Sequence, residues 1–593
     1  MALMQRKTFT KKKTKVPLDV DDVLTDVLNL SEMDKNRLEG KFTSKISSGN
    51  LWFLLALAFF TVLIFSYRLF DLQVIHGAKY AKISQDNSIE KRVIFAKRGV
   101  IKDRYGELLA SNGESLETLQ TTHGSLDVYR RIYTDKYKGL AHILGYVVYP
   151  QTDSNKHLWR KTYKGVGGIE EFFNDVLNGK NGEELVEKDA SGKTVSTGRI
   201  LEPENGRRVM LSIDARLNDK LYHALSSYLP TVSFKEGAAV IMDVKTGEVI
   251  AMVSVPEFDL NKITSRDSKY IKETLRRKDQ PLLNRAAHGT YAPGSIVKPF
   301  VALAALSEHI INPNKKLLST GALKLPNPYH PDKPTIFKDW RAHGWINMKE
   351  AIAHSSDEYF YIVGGGYKEQ PGLGIARLIK YARLFGFGEK TGIELPSEAA
   401  GVVPSPSWKR EVFAAPWNIG DTYHTAIGQY GFLITVLQAA RYVSAIANGG
   451  ELMTPTLLEG KNVSKLNLKL KEKDINVIHD GMRMAVNIGT ARPLKLPGIQ
   501  LAAKTGTAQT GAHNERKNSW VIGFWPYKNP RFAFAAMLSK GDAHETGSAS
   551  HAMRVFFQQL IKENSAYVTG AYPDYKSVSL PRGGKQEASG KKN

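Results

Sequence analysis

The 593-residue chain contains no cysteine, which excludes a disulfide framework and any thiolate-held metal site and permits an extracytoplasmic location. It also carries no zinc-finger pattern, no aromatic-basic RNA-binding signature and no phosphate-loop motif. Its basic excess, 82 Lys and Arg against 59 Asp and Glu for a net charge of +23, therefore points to anionic lipid headgroups or acidic polymers ahead of nucleic acid. Residues 46–67 carry no charge at all, and their centre, Leu51-Trp-Phe-Leu-Leu-Ala-Leu-Ala-Phe-Phe-Thr-Val-Leu-Ile-Phe65, is long and apolar enough to span a bilayer. A cleaved signal peptide would place its apolar core nearer Met1 and end it at a small-residue site, which is missing after Phe65. The basic cluster Arg6, Lys7, Lys11, Lys12, Lys13 and Lys15 then puts the N-terminus in the cytoplasm and the bulk of the chain outside the membrane.

This length implies more than one domain. After a tail at 1–45 and the spanning helix at 46–67, residues 68–207 hold short β-prone runs and no stretch with catalytic character. Within them, residues 97–112 predict two short strands around the turn Asp103-Arg-Tyr-Gly106. The texture changes at Arg208: a strand at 209–213 leads into a helix capped by Asp214, and a main domain follows at 208–570. In that domain the sequence predicts a hairpin on either side of Lys245-Thr-Gly247, a mostly helical stretch from about 271 to 448, strands at 520–525 and 532–538, and a last helix over 549–562. A polar, basic tail at 571–593 closes the chain.

Candidate chemistry centres on Tyr291-Ala-Pro-Gly-Ser-Ile-Val-Lys-Pro-Phe300. A Pro-Gly turn hands over to an Ala/Leu-rich helix, so Ser295 and Lys298, three residues apart, share one face. A serine hydroxyl becomes a nucleophile when a neighbouring base takes its proton. Such an enzyme also needs a cationic strand edge, and Lys-Thr-Gly occurs three times. Lys245 sits in the hairpin turn and Lys390 in a Gly-rich loop, both structural positions. Lys504-Thr-Gly506 extends the apolar approach 499–503 as a strand, and Gly506 allows a ligand to come close. Ser355-Ser-Asp357 follows an amphipathic helical run, at a helix end.

In this order, Ser295-x-x-Lys298, Ser355-x-Asp357 and Lys504-Thr-Gly506 resemble the three signatures of the penicillin-binding protein and serine β-lactamase superfamily. Residues 98–112, 237–254, 291–299 and 501–509 look like a class B penicillin-binding protein. Phe337-Lys-Asp-Trp340, Trp417-Asn-Ile-Gly-Asp-Thr422 and Ile427-Gly-Gln429 look more like the elongation type, penicillin-binding protein 2, than the septal type. The resemblance implies an α/β (α+β) serine transpeptidase, β-lactamase-like domain on an elongated β-rich pedestal of the dimerisation type, held by one transmembrane helix. Two departures stand out. Asp357 replaces the usual Asn, and an ionised Asp can only accept hydrogen bonds, so it could hold Lys298 as an ammonium partner. The head of the pedestal also looks shortened, since Leu140-Ala-His-Ile-Leu-Gly-Tyr146 follows Asn112 closely.

As the resemblance has it, Ser295 attacks the penultimate D-Ala carbonyl of a stem pentapeptide, and an amine of a second stem then takes the acyl group. Lys298 is the general base, Ser355 relays the proton and Asp357 orients them. Lys504, Thr505 and Thr507, with Gly506, receive the terminal carboxylate, and the backbone N–H groups of Ser295 and Thr507 form the oxyanion hole. Neither cofactor nor metal is called for. The implied partners are peptidoglycan stem peptides, β-lactams, a SEDS-type glycosyltransferase and a rod-complex scaffold. Residues 68–207 are too few for both a pedestal and a glycosyltransferase domain. The competing readings are a septal transpeptidase, a D,D-carboxypeptidase or β-lactamase-type hydrolase, and a non-catalytic scaffold of the wall-synthesis complex.

Overall fold

The computed structural model describes residues 48–86, 89–121, 124–188, 194–326, 330 and 332–575. The N-terminal tail with its basic cluster, and the polar tail from 576 onward, lie outside the described residues. Packing divides the chain into two compact units, one running to Ile89 and taking in Lys188, the other holding the remainder.

In the first unit the uncharged run forms helix α1, Ser48–Phe70. The apolar stretch was expected to end at residue 67, but nothing there breaks a helix. The chain continues through Arg68, which pairs with Asp71 at 2.9 Å, into a wider helical turn at Asp71–Ile75. The candidate span is accordingly Gly49–Ile75. Its one hydroxyl among residues 51–65, Thr61, donates back to the Leu57 carbonyl at 2.7 Å, as a polar group facing lipid must.

The second unit begins with the pedestal. Asp103 accepts the N–H groups of Tyr105 and Glu107 at 2.9 and 2.8 Å and so folds the predicted turn between β1, Ile101–Lys102, and β2, Leu108–Thr121. β2 pairs with β3, Gly124–Tyr133. The strand expected at 209–213 shortens to β4, Val209–Met210, which adds to β1 in parallel with Val209 opposite Ile101. This four-stranded sheet therefore ties the start of the main domain to the pedestal.

Beneath that sheet a buried carboxylate acts as a hub. Glu170 accepts Arg98 Nε at 2.6 Å, Arg131 Nε at 2.7 Å and Tyr133 O–H at 3.1 Å, and all three ionic side chains are fully buried. Burial pushes the Glu170 carboxyl up, but the two guanidiniums prevail and hold it below the ordinary carboxylate range.

The main domain is built on a five-stranded antiparallel sheet. Helix α2, Ala215–Tyr228, starts at the expected Asp214 cap. The hairpin is β5, Glu236–Asp243, with β6, Val249–Val255. β11 (Ala502–Thr510), β12 (Arg516–Trp525) and β13 (Phe532–Asp542) complete the order β6-β5-β13-β12-β11. Alternation along β11 and β12 separates two cores. Ala502, Trp520 and Ile522 face helices α3 (Lys298–Ser307) and α6 (Val436–Ala447). Ala503 and Val521 face α2 and α8, Ala549–Lys562.

The stretch 271–448 departs from its helical expectation between α3 and α4, Met348–His354. There β7 (Leu317–Ser319) pairs with β10 (Gly344–Ile346), and β8 (Ala322–Leu325) with β9 (Thr335–Lys338). These strands are too short to leave a period in the sequence, and their pairing nests one hairpin inside another, Leu317 opposite Ile346 and Leu325 opposite Thr335. Helices resume with α5, Asp357–Gly365, and α7, Glu472–Asn487, packs across α4.

Glu170→Gln leaves two guanidiniums buried without their counter-charge. It should destabilise the pedestal by about 3 kcal/mol or more, read as a lower unfolding temperature of the full-length protein. An unchanged transition would remove the hub from the account of pedestal stability.

Candidate active site

Three glycines bring the first and third motifs together. Ser295 lies in a single tight turn, Gly294–Val297, that leads into α3. Gly294 has φ +56°, and a Cβ there would meet the Thr507 carbonyl oxygen at 2.5 Å. A Cβ on Gly506 would lie 2.8 Å from the Pro293 oxygen, and one on Gly428 2.3 Å from the Gly294 oxygen. The turn is therefore clasped between the outer edge of β11 and the 427–429 segment at distances that a side chain would not allow. Hydrogen bonds fix it: Gly294 N–H donates to the Gly428 carbonyl at 2.9 Å, Trp520 Nε1 to the Ala292 carbonyl at 2.9 Å, and Tyr291 and Ile434 exchange two backbone bonds.

The second motif forms where α4 ends. Ser355 adopts the left-handed conformation, φ 59°, ψ 37°, which is uncommon for a residue with a side chain. That reversal separates α4 from α5, with Ser356 as the N-cap of α5 and Asp357 its first residue.

Two lysines converge on this turn. Lys298, fully buried at the start of α3, donates to the Ser355 carbonyl at 2.7 Å, to Asp357 Oδ1 at 2.6 Å and more weakly to Ser355 Oγ at 3.4 Å. Lys504 donates to Ser355 Oγ at 2.7 Å and to the Thr505 carbonyl at 2.6 Å. Both of these acceptors are neutral. Burial, and next the charge of Lys298, hold the Lys504 amine well below the ordinary lysine value, while Asp357 pulls it the other way.

The even-numbered side chains of β11 face α3, so Lys504 points beneath the strand to Ser355. Thr505 and Thr507 project from the opposite face, and Thr505 Oγ1 donates to Thr490 Oγ1 at 2.6 Å. Thr490 was not anticipated: it lies past the end of α7, in a segment with no motif, and only the packing of α7 beside β11 brings it in. Ser295, Ser355, Asp357, Thr505, Gly506 and Thr507 line one open cavity of about 1020 Å³. Lys245 and Lys390 lie in the hairpin turn and in a loop, away from it. A second, mostly apolar cavity of about 560 Å³ contains none of the candidate residues. Among the described residues no group of three or more His, Cys, Asp or Glu is placed to hold a metal ion.

Residues 237–562 match the family model described as the penicillin binding protein transpeptidase domain, and residues 125–211 match the penicillin-binding protein dimerisation domain. Among curated proteins, the peptidoglycan D,D-transpeptidase MrdA of Acinetobacter baumannii is 29% identical over 87% of this chain and 88% of its own length. The MrdA protein of Haemophilus influenzae is 30% identical over 89% and 95%. Among solved structures, the penicillin-binding protein PBP2 of Helicobacter pylori, in complex with MreC, superposes with a TM-score of 0.67 at 27% identity, covering 81% of this chain and 99% of its own.

Of the three Lys-Thr-Gly lysines, only Lys504 reaches the cavity's polar side chains. Lys504→Ala should slow labelling by a fluorescent penicillin about a hundredfold or more, whereas Lys245→Ala and Lys390→Ala should stay within about twofold of the parent. Equal losses from all three would mean that the wrong copy has been placed in the site.

Proposed function

Since the chain belongs to the penicillin-binding protein transpeptidase family, we propose that its cleft cross-links peptidoglycan stem peptides through an acyl-serine intermediate. The chain is a peptidoglycan D,D-transpeptidase of the elongation type, anchored in a membrane by α1. The observation that carries the mechanism is the convergence of Lys298 and Lys504 on Ser355 beside the Ser295 turn.

In this mechanism the Ser295 hydroxyl gives its proton to Lys298 and its oxygen attacks the carbonyl carbon of the penultimate D-Ala. Negative charge gathers on the carbonyl oxygen, facing the N–H groups of Ser295 and Thr507. The C–N bond then breaks, and terminal D-Ala leaves as an amine that receives a proton through Ser355. An amine of the second stem next attacks the ester. Its nitrogen bonds to the acyl carbon, the bond to Ser295 Oγ breaks, and the amine proton returns to that oxygen.

Asp357 Oδ1 accepts from the Lys298 amine at 2.6 Å and so fixes where that base sits. The Ser355 hydroxyl, in contact with both amines, is the route, and Lys504, held towards its neutral form by burial, can take a proton through it and, as the weaker base, gives that proton up readily to the leaving amine. Thr505 and Thr507, on the open face of β11, take the terminal carboxylate, and Gly506 lets the backbone of the stem lie against the strand.

β-Lactams would enter as stem-peptide mimics. The proposed partners are a rod-complex scaffold, as the Helicobacter pylori relative is solved with MreC, and a SEDS-type glycosyltransferase as polymerase. The N-terminus would lie in the cytoplasm and the cleft outside.

Ser295→Ala should abolish covalent labelling by penicillin and leave the unfolding transition within a few degrees of the parent, because it removes one partly exposed hydroxyl. Mass spectrometry of the adduct checks the site. An adduct elsewhere, or labelling of Ser295→Ala at the parental rate, would rule out this nucleophile.

A further inference from the structure

Two stretches that look like the elongation type, Phe337-Lys-Asp-Trp340 and Trp417-Asn-Ile-Gly-Asp-Thr422, take no part in the chemistry above, yet they meet in the fold. The Phe337 ring is buried against Tyr361, Tyr423 and His424, at centroid distances of 5.9, 5.0 and 5.4 Å. A Cβ on Gly420 would come 2.9 Å from Phe337 Cζ, so the glycine makes room for the ring. Anchored in this way, β9 ends directly over the start of α5 and delivers Asp339 there.

The Asp339 side chain is fully buried. Its Oδ2 accepts the Ser356 hydroxyl at 2.7 Å and the Glu358 N–H at 2.9 Å, and its Oδ1 accepts the N–H of Trp340 at 2.7 Å. His343 Nε2, 3.6 Å from Oδ1, is beyond hydrogen-bond reach. Ser356 is the residue between Ser355 and Asp357, and its Oγ also accepts the Tyr359 N–H at 3.2 Å as the cap of α5. The tie is returned from the other side: the Glu358 carboxylate accepts Ser319 Oγ at 3.0 Å, Thr320 Oγ1 at 3.3 Å and Gly321 N–H at 2.9 Å. Two carboxylates thus cross-link the short-strand region to the helix start that carries the second motif.

We propose that Asp339 is a positioning residue for acyl transfer, acting through Ser356 and the Glu358 N–H to hold Ser355 Oγ between the two lysines. The physical need is specific. Ser355 is left-handed, a conformation that is strained for a residue with a side chain and persists only where its surroundings impose it. The residue that follows it must therefore be gripped, and a buried carboxylate with three donors aimed at it is the group present. An amide replaces it only in part: with its oxygen toward Ser356 and Glu358, the NH2 of Asn faces the N–H of Trp340 where the carboxylate accepted it, and the charge that strengthens the other two bonds is lost. Asp339 touches no reacting atom; its effect is on where Ser355 sits.

The proposal rests on the transpeptidase assignment, and the test separates the two. With the full-length protein in detergent and a fluorescent penicillin, the non-covalent dissociation constant and the first-order acylation constant are measured for the parent, Asp339→Asn, Ser356→Ala and the double variant. Asp339→Asn should lower the acylation constant about tenfold or more, as a small misplacement of a catalytic group does, and leave the dissociation constant within about threefold. Ser356→Ala, the milder change, should lower it less, and the double variant should be no slower than Asp339→Asn alone, since both act through one link. An unchanged acylation constant per folded molecule, with only stability reduced, would overturn the proposal, as would effects that multiply in the double variant. A parent protein that acquires no adduct at Ser295 would sink the acyl-serine mechanism, and this inference with it.

Discussion

Two buried lysine amines share one serine hydroxyl and one carboxylate, and the rest of the catalytic domain is arranged around that imbalance. Two ammonium groups this close inside a protein repel each other and lose their hydration, and a single Asp357 can neutralise one of them. Lys298 takes the carboxylate at 2.6 Å, while Lys504 is left with a hydroxyl and a carbonyl and is driven toward the neutral amine. The proton relay proposed for this site draws on that inequality, because an amine held neutral can take a proton and, as the weaker base, releases it readily.

The imbalance has to be held rigidly, and each of its parts comes from a different element. Lys298 is fixed by a helix that lies wholly in the core, Lys504 by the edge strand, and Ser355 by a strained turn between two helices. Glycines let these elements touch: Gly294, Gly428 and Gly506 replace side chains with backbone contact around the Ser295 turn. The two faces of β11 divide the work. The buried face presents Lys504 to the Ser355 hydroxyl, and the open face presents Thr505 and Thr507 to the cavity.

The pedestal follows a different logic. Its Arg98, Arg131 and Glu170 cluster is buried, and Glu170 is hydrogen-bonded to both guanidiniums. An ionic core of this kind contributes little net stability against a well-packed apolar one, but it tolerates no missing member. The parallel pairing of β1 with β4 then joins this rigid base to the catalytic domain, so force or displacement in the pedestal has a backbone route into the strand that precedes α2.

Much of this was legible in the sequence. Local chemistry wrote the helix cap at Asp214, the helix end at Ser355, the hairpin turn at Lys245, the charge-free span and the three short motifs, because each depends on residues within a few positions of one another. The boundaries drifted where no breaker residue stood, as at the end of α1, and where a strand owed its length to a distant partner, as in β4. The sequence could also offer three Lys-Thr-Gly candidates and favour the third by its apolar approach. Which lysine lies 2.7 Å from Ser355 Oγ, that Asp357 pairs with Lys298 rather than pointing to solvent, and that Thr490, Asp339 and the four short strands belong to the site were decided by the tertiary structure alone. The physical reason is separation along the chain: these contacts span 15 to 149 residues, and nothing local encodes them until the sheet and helices have closed.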